Sequence, residues 1–147
     1  LHADTQLPID ALKNIEMAMY NDRLAGGAFT LTVDSPRPVF RMIEFAANWR
    51  SRFWRLPCGS QAIFIRRDYF ERIGKFAEIP ILEDLELMRR IRRRKDRIVI
   101  LPQKVKTSAR RWTNEGVANT VFRKCKIRFL YSLGISPHRL ARRYPPR

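Results

Sequence analysis

The sequence predicts an α/β fold, a partial layered sheet with flanking helices, held in one domain spanning residues 1–147. Three observations predict it. Apolar residues recur at steps of three and four in some segments and alternate with polar ones in others, and the two periods interleave along the chain. No internal repeat, low-complexity run or linker divides it. With 45% hydrophobic residues the chain has material for a core.

The elements follow in order. "LHAD" at residues 1–4 reads as the end of an apolar strand. Residues 7–22 place Leu12, Ile15 and Met19 at helical spacing, with Pro8 where a first helical turn tolerates proline. Residues 26–34, "GGAFTLTVD", alternate Phe29, Leu31 and Val33 with Thr30 and Thr32, the period of a half-buried strand, and "SPRP" closes it. From Val39 to about Leu56 the positions Phe40, Ile43, Ala46/Ala47 and Phe53/Trp54 give a longer helix. "LPCGSQ" is a break, "AIFIRR" a short strand, and "DYFERIG" a brief helix with Asp68 as N-cap and Gly74 as C-cap. A charged helix covers residues 83–95, and "RIVILP" and "KVKTSA" read as two strands parted by Pro102. A basic helix over 116–134 and a short terminal one after "SP" complete the set.

Charge is uneven. The net value is +16, yet residues 1–88 hold 11 Lys/Arg against 12 Asp/Glu, and residues 89–147 hold 19 against 2. A basic half of this kind attracts nucleic acid, a phosphorylated substrate or an acidic lipid surface without choosing among them. Cys58 and Cys125 have no Cys or His neighbours at zinc spacing, so they read as reduced thiols of a cytosolic protein and not as a structural metal site. No apolar run approaches the roughly 18 residues that cross a bilayer. The start at Leu1, inside a strand, reads as a fragment whose preceding strands are absent.

In "ILEDLELMRRIRRRKDR", residues 81–97, a helix puts Asp84, Leu87/Met88 and Ile91 on one stripe. Glu86 can pair with Arg89 and Arg90 on the solvent side, and acids early with bases late complement the helix dipole. Asp84, facing inward at the helix mouth among Ile81, Leu82, Leu85 and Leu87, is either an N-cap or a carboxylate presented to a ligand.

Four motifs in order, "LHADT", "GSQAIFIRRDYFERIGKF", "LEDLELMRRIRRR" and "TSARRW", resemble the second half of a glycosyltransferase family 2 domain of the nucleotide-diphospho-sugar type. They are most similar to its small bacterial radical-enzyme and selenodomain-associated group. The likeness covers essentially the whole chain. It implies an inverting sugar transfer from a nucleotide-diphospho-sugar donor to an acceptor hydroxyl, assisted by Mg²⁺ or Mn²⁺. The family's metal-holding Asp-x-Asp falls on "HAD", so the resemblance assigns the metal to Asp4, with His2 in place of the first acid. A hard ion accepts one protein carboxylate with phosphate and water oxygens. The family's Glu-Asp pair falls on Glu83 and Asp84: Asp84 would take the acceptor's proton and Glu83 would orient the acceptor or its loop.

By the same resemblance Arg110 or Arg111 would offset charge on the leaving phosphate and Trp112 would stack on a sugar. Their alternative is a strand-end cationic pair with a core tryptophan. Gly59 and Gln61 match an acceptor-binding element in which Ser60 replaces an acid. Gly74 stands in the family's Gly-Gly-Phe turn with Lys75 in place of the second glycine, and Phe76 reads as packing. The family's nucleotide-binding first half has no counterpart here.

Residues 117–133 carry an apolar surface of Val117, Val121, Phe122, Cys125, Phe129, Leu130 and Leu133 beside Arg123, Lys124, Lys126 and Arg128. Such a helix lies on an anionic membrane, where a lipid-linked acceptor would be met, or packs on its own domain or a twin subunit. The expected location is the cytoplasm, with a place at the inner membrane only on the first of these alternatives. Two other classes stand beside sugar transfer: a basic nucleic-acid-binding module, with Trp112, Phe122, Phe129 and Tyr131 near the cations, and a truncated inactive scaffold.

Overall fold

A computed structural model describes residues 5–110, 112 and 116–144. Among them, strands β1 (Thr5–Gln6), β2 (Leu24–Asp34), β3 (Phe64–Ile65) and β4 (Arg97–Ser108) form one four-stranded mixed sheet in the order β1-β4-β2-β3. β2 and β4 run parallel, and the two short strands pair antiparallel at the edges. The helices are α1 (Ala11–Met19), α2 (Pro38–Trp54), α3 (Arg67–Arg72), α4 (Glu83–Arg93), α5 (Val117–Ser132) and α6 (Pro137–Arg143). The α/β architecture with flanking helices is the predicted one.

Side chains on successive residues of a strand point to opposite faces. Val99 and Phe64 pack with Ala11, Ile15 and Ala18 of α1, whereas Ile98 and Ile65 pack with Tyr69 of α3 and Leu87, Met88 and Ile91 of α4. Helices therefore cover both faces of the sheet. A third cluster joins Val33, Phe40, Ala109 and Trp112.

Among the described residues β2 pairs with β3 at Gly26 and Gly27 alone, and beyond them its outer edge has no neighbouring strand. Side chains fill that edge. Gln61 Nε2 donates to Phe29 O at 3.1 Å. Asn48 brackets Leu31, accepting from its N–H at 2.8 Å and donating to its C=O at 3.0 Å. Glu44 accepts from Val33 N–H at 2.6 Å, and Arg41 donates to Val33 O at 2.9 Å. α2 thus turns Arg41, Glu44 and Asn48, at helical steps of three and four, toward the strand.

That orientation corrects one expectation. Phe40 is buried as predicted, and Ile43 and Ala47 are half-buried, but Phe53 is 69% exposed and Trp54 49%. Glu44 and Asn48 of α2 face inward because they serve the backbone of β2.

Other differences are local. The strands read as two around Pro102 are one, with a register shift between the pairs Phe29–Leu101 and Thr30–Lys104 that accommodates the missing proline N–H. The helix expected from residue 7 begins at Ala11, whose N–H bonds Pro8 O. Asp68 is not the cap of α3: Arg66 is, and Asp68 pairs with Arg72 one turn on. Gly74 does end α3. At φ +88° it follows the C-cap, its N–H bonds Glu71 O and the N–H of Lys75 bonds Phe70 O. Gly134 and Lys95 end α5 and α4 in the same way. Glu86 pairs with Arg90 at 2.8 Å as expected, while Arg89 instead lies over the Tyr131 ring at 4.5 Å and ties α4 to α5.

Two measurements test this frame. A Cβ on Gly26 would stand 2.3 Å from the Phe64 carbonyl oxygen, which belongs to a backbone that cannot swing aside. Gly26→Ala is expected to cost about 2 to 3 kcal/mol in urea unfolding by forcing β3 off β2. Tyr69, its ring buried, donates to Asp96, and burial first, then that hydrogen bond and the Asp96 charge, push its pKa up from 10.0 to about 12. The folded value lies above the unfolded one. The stability it contributes is therefore complete below pH 10 and disappears as pH rises through 12. Tyr69→Phe should be less stable at neutral pH and lose less stability across that alkaline window.

Candidate active site

A hollow of about 380 Å³ opens between the end of α2, the turn at residues 58–61, the mouth of α4 and the inner face of α5. α2 contributes Ile43, Ala47 and Arg50, the α4 entry contributes Pro80 to Asp84, and α5 contributes Arg123, Lys124, Ile127 and Arg128. Thr107 at the end of β4, Trp112 and Tyr144 complete the wall.

Asp84 sits at the second position of α4. Leu82, at φ +67°, occupies the N-cap position, so the capping alternative for Asp84 does not apply. Its two oxygens are each held by one backbone donor: Oδ2 accepts from Gly59 N–H at 2.7 Å and Oδ1 from Leu85 N–H at 2.7 Å. Each oxygen keeps a second lone pair, and the carboxylate is fixed in a half-buried position on the wall. Glu83, beside it on the same wall, is exposed.

The turn that offers Gly59 is itself anchored. Gln61 is fully buried, and its amide donates to Phe29 O and to Ser51 Oγ at 2.9 Å while its oxygen accepts from Cys58 N–H at 3.2 Å. Sequence resemblance gave Gln61 to substrate. With its partners supplied by protein and no exposed surface, it holds the turn instead. Gly59 lines the hollow, but through a backbone N–H already committed to Asp84.

Arg50 reaches into the hollow with its Nε bonded to Leu56 O at 3.1 Å. Burial lowers its pKa from the ordinary value, the neighbouring charge of Arg128 lowers it further, and Cys58 and Asp84 draw it back up. Two guanidinium groups thus repel across the space that Asp84 faces. Arg55, Ala62 and Leu82 all hold positive φ around this site, and left-handed backbone at such residues is strained.

Trp112 is on the wall and also packs in the core cluster of Val33, Phe40 and Ala109, so both of its alternatives stand; its ring is T-shaped to Phe40 at 6.4 Å, and Lys124 Nζ lies 4.1 Å from its centroid, so one face is taken by a cation. Arg110 is exposed and is not among the lining residues. Arg111 and the metal candidate Asp4, with His2, lie outside the described residues; description starts at Thr5, paired with the lining residue Thr107. Among the described residues no group of three or more His, Cys, Asp or Glu could hold a metal ion. The described part of the wall, with Arg50, Arg123, Lys124 and Arg128 against Glu83 and Asp84, has the donor chemistry of an anion site and does not by itself fit a divalent cation.

Arg50, Arg123, Lys124 and Arg128 escaped sequence reasoning as site residues. The signal was their helical phase: Arg123, Lys124 and Arg128 share a side of α5 with Ile127, opposite Phe122 and Phe129. No family model, curated protein or solved structure matches the chain. No helix among the described residues is long and apolar enough to cross a membrane.

Gln61→Leu should lower stability by about 2 to 4 kcal/mol, because Phe29 O, Ser51 Oγ and Cys58 N–H would lose a buried partner together. Thermal or urea unfolding reads the loss; a variant as stable as the parent would return Gln61 to the ligand.

Proposed function

We propose that this chain is the acceptor-side half of an inverting glycosyltransferase that moves a sugar from a nucleotide-diphospho-sugar to an acceptor hydroxyl. The observation that carries the reading is one juxtaposition: the Asp84 carboxylate, fixed by two backbone N–H groups, faces a hollow walled by Arg50, Arg123, Lys124 and Arg128. A base beside a cluster of cations is what a reaction needs when it takes a proton at one end and releases a diphosphate at the other.

In this reading the acceptor oxygen attacks the anomeric carbon while its proton passes to Asp84. The bond from that carbon to the phosphate oxygen breaks with its electron pair, and the nucleoside diphosphate leaves from the opposite face. The arginines and Lys124 offset the charge that grows on the departing phosphate. Trp112 offers the ring face not covered by Lys124 to a sugar, and Glu83 borders the acceptor's approach. A Mg²⁺ or Mn²⁺ ion at Asp4 belongs to the same proposal and would shield the donor diphosphate when bound.

The proposal extends to the fold, with the β1-β4-β2-β3 sheet as the second half of a nucleotide-diphospho-sugar transferase domain, and to a cytoplasmic location, where Cys58 and Cys125 stay free thiols. The phase of α5 supports it over a nucleic-acid module. Its cations at 123, 124 and 128 turn toward the hollow and its phenylalanines toward solvent.

The test uses the complete coding sequence that contains this chain, a panel of nucleotide-diphospho-sugars and detection of the released nucleoside diphosphate. Asp84→Asn should slow release by about 10²- to 10⁴-fold while calorimetry shows donor binding retained. Because the new amide would set an NH₂ against Gly59 or Leu85 N–H, an unchanged melting curve is the required control. Turnover at the parental rate would reject Asp84 as the base.

A further inference from the structure

We propose that the ligand of the hollow also closes it: a diphosphate group bound between Arg50 of α2 and Arg128 of α5 ties α5 to the rest of the molecule, so anion binding and docking of that helix are one event. By its own contacts α5 is weakly anchored. Thr120 is the one buried residue of the helix, and its hydroxyl has no hydrogen-bond partner among the described residues. Phe122 and Phe129 are 68% and 62% exposed, while Val117 is partly buried against the cluster of Val33 and Phe40. Lys124 over Trp112 and Arg89 over Tyr131 add ring contacts. A helix with so little buried apolar surface opens at low free energy unless something else holds it.

Charge sets α5 against α2. Arg50 and Arg128 are both half-buried in the wall of the hollow, and Arg128 acts on Arg50 as a like charge. Among the described residues no carboxylate stands at ion-pair distance from either guanidinium. Asp84 draws on Arg50 from farther off, with its two oxygens on the N–H groups of Gly59 and Leu85. Two cations partly withdrawn from water with no counter-charge between them repel. An oxyanion in that space turns the repulsion into attraction, because it accepts charge-assisted hydrogen bonds from both planar forks. Two forks take up to two oxygens each, more than one carboxylate offers, and a diphosphate has both the oxygens and the charge. The hollow, at about 380 Å³, has room for it.

The probe is inorganic pyrophosphate, added to the chain at an ionic strength held constant with chloride, and the readout is hydrogen exchange across residues 117–132. Pyrophosphate at about ten times its Kd should slow exchange through opening of α5 about tenfold. Arg128→Met keeps an apolar stem and removes the like charge. Without pyrophosphate its α5 should exchange as slowly as in the parent or more slowly, and calorimetry should show pyrophosphate bound about tenfold or more weakly, with α5 no longer protected. Arg142→Met, at an exposed cation of α6, should bind and protect like the parent. Protection no greater than chloride gives would overturn the proposal, and so would equal weakening by Arg142→Met, which marks diffuse attraction. Faster exchange of α5 in unliganded Arg128→Met would overturn it too, because Arg128 would then anchor the helix without an anion. None of these readouts involves turnover, so the tie can fail with the sugar-transfer reading intact, and the reverse.

Discussion

The open edge of β2 is the constraint on which the rest depends. Beyond Gly27 the backbone groups of Phe29, Leu31 and Val33 point away from β4 and find no strand among the described residues. A buried backbone group without a partner costs about 1 to 3 kcal/mol, so this edge demands an answer. Arg41, Glu44 and Asn48 supply it from a helix, and Gln61 supplies it from a turn. The consequences run in two directions. Inward, Gln61 fixes the turn, the turn fixes Gly59, and Gly59 fixes Asp84. Outward, α2 has spent its polar face on the strand, which leaves its aromatics for the surface.

The electrostatics of the hollow follow from the same arrangement. Cationic groups approach from α2 and α5, and the carboxylates come from the first turn of α4, where the helix dipole suits them. Arg50 is crowded by Arg128 and steadied by Asp84 and Cys58. Of the described cations in the C-terminal half, Arg123, Lys124 and Arg128 line the hollow, and most of the others are spread over the exposed surface.

Much of the fold was legible because periodicity survives in α4, where Leu87, Met88 and Ile91 are buried. β2 buries Phe29, Leu31 and Val33 as read, but it buries Thr30 too, because helices cover both faces of the sheet, so it is not the half-buried strand that the alternation predicts. Asp84 was legible too, from its place on the buried stripe of α4. α2 was misread at Phe53 and Trp54 because amphipathicity tells which residues share a face, not which face meets the sheet. Glu44 and Asn48 are inward for a reason that lies in the backbone of another element. Gln61 was assigned to the acceptor by family resemblance alone, and a matched motif does not tell whether its amide meets a ligand or, as here, Phe29 O, Ser51 Oγ and Cys58 N–H. Arg50 and Arg128 are far apart in sequence, and only the fold, which lines one hollow with α2 and α5, brings their charges together.

The register shift in β4 has a last consequence. Phe29 aligns with Leu101 and Thr30 with Lys104, so Pro102 and Gln103 are extra relative to β2. Two is an even number, and side chains alternate with a period of two. Val105 and Thr107 therefore stay buried beside Leu101, with Lys104 and Lys106 in water. Losing both extra residues would leave this parity intact. Losing one would invert it, sending two lysines into the core and turning Thr107 away from the hollow.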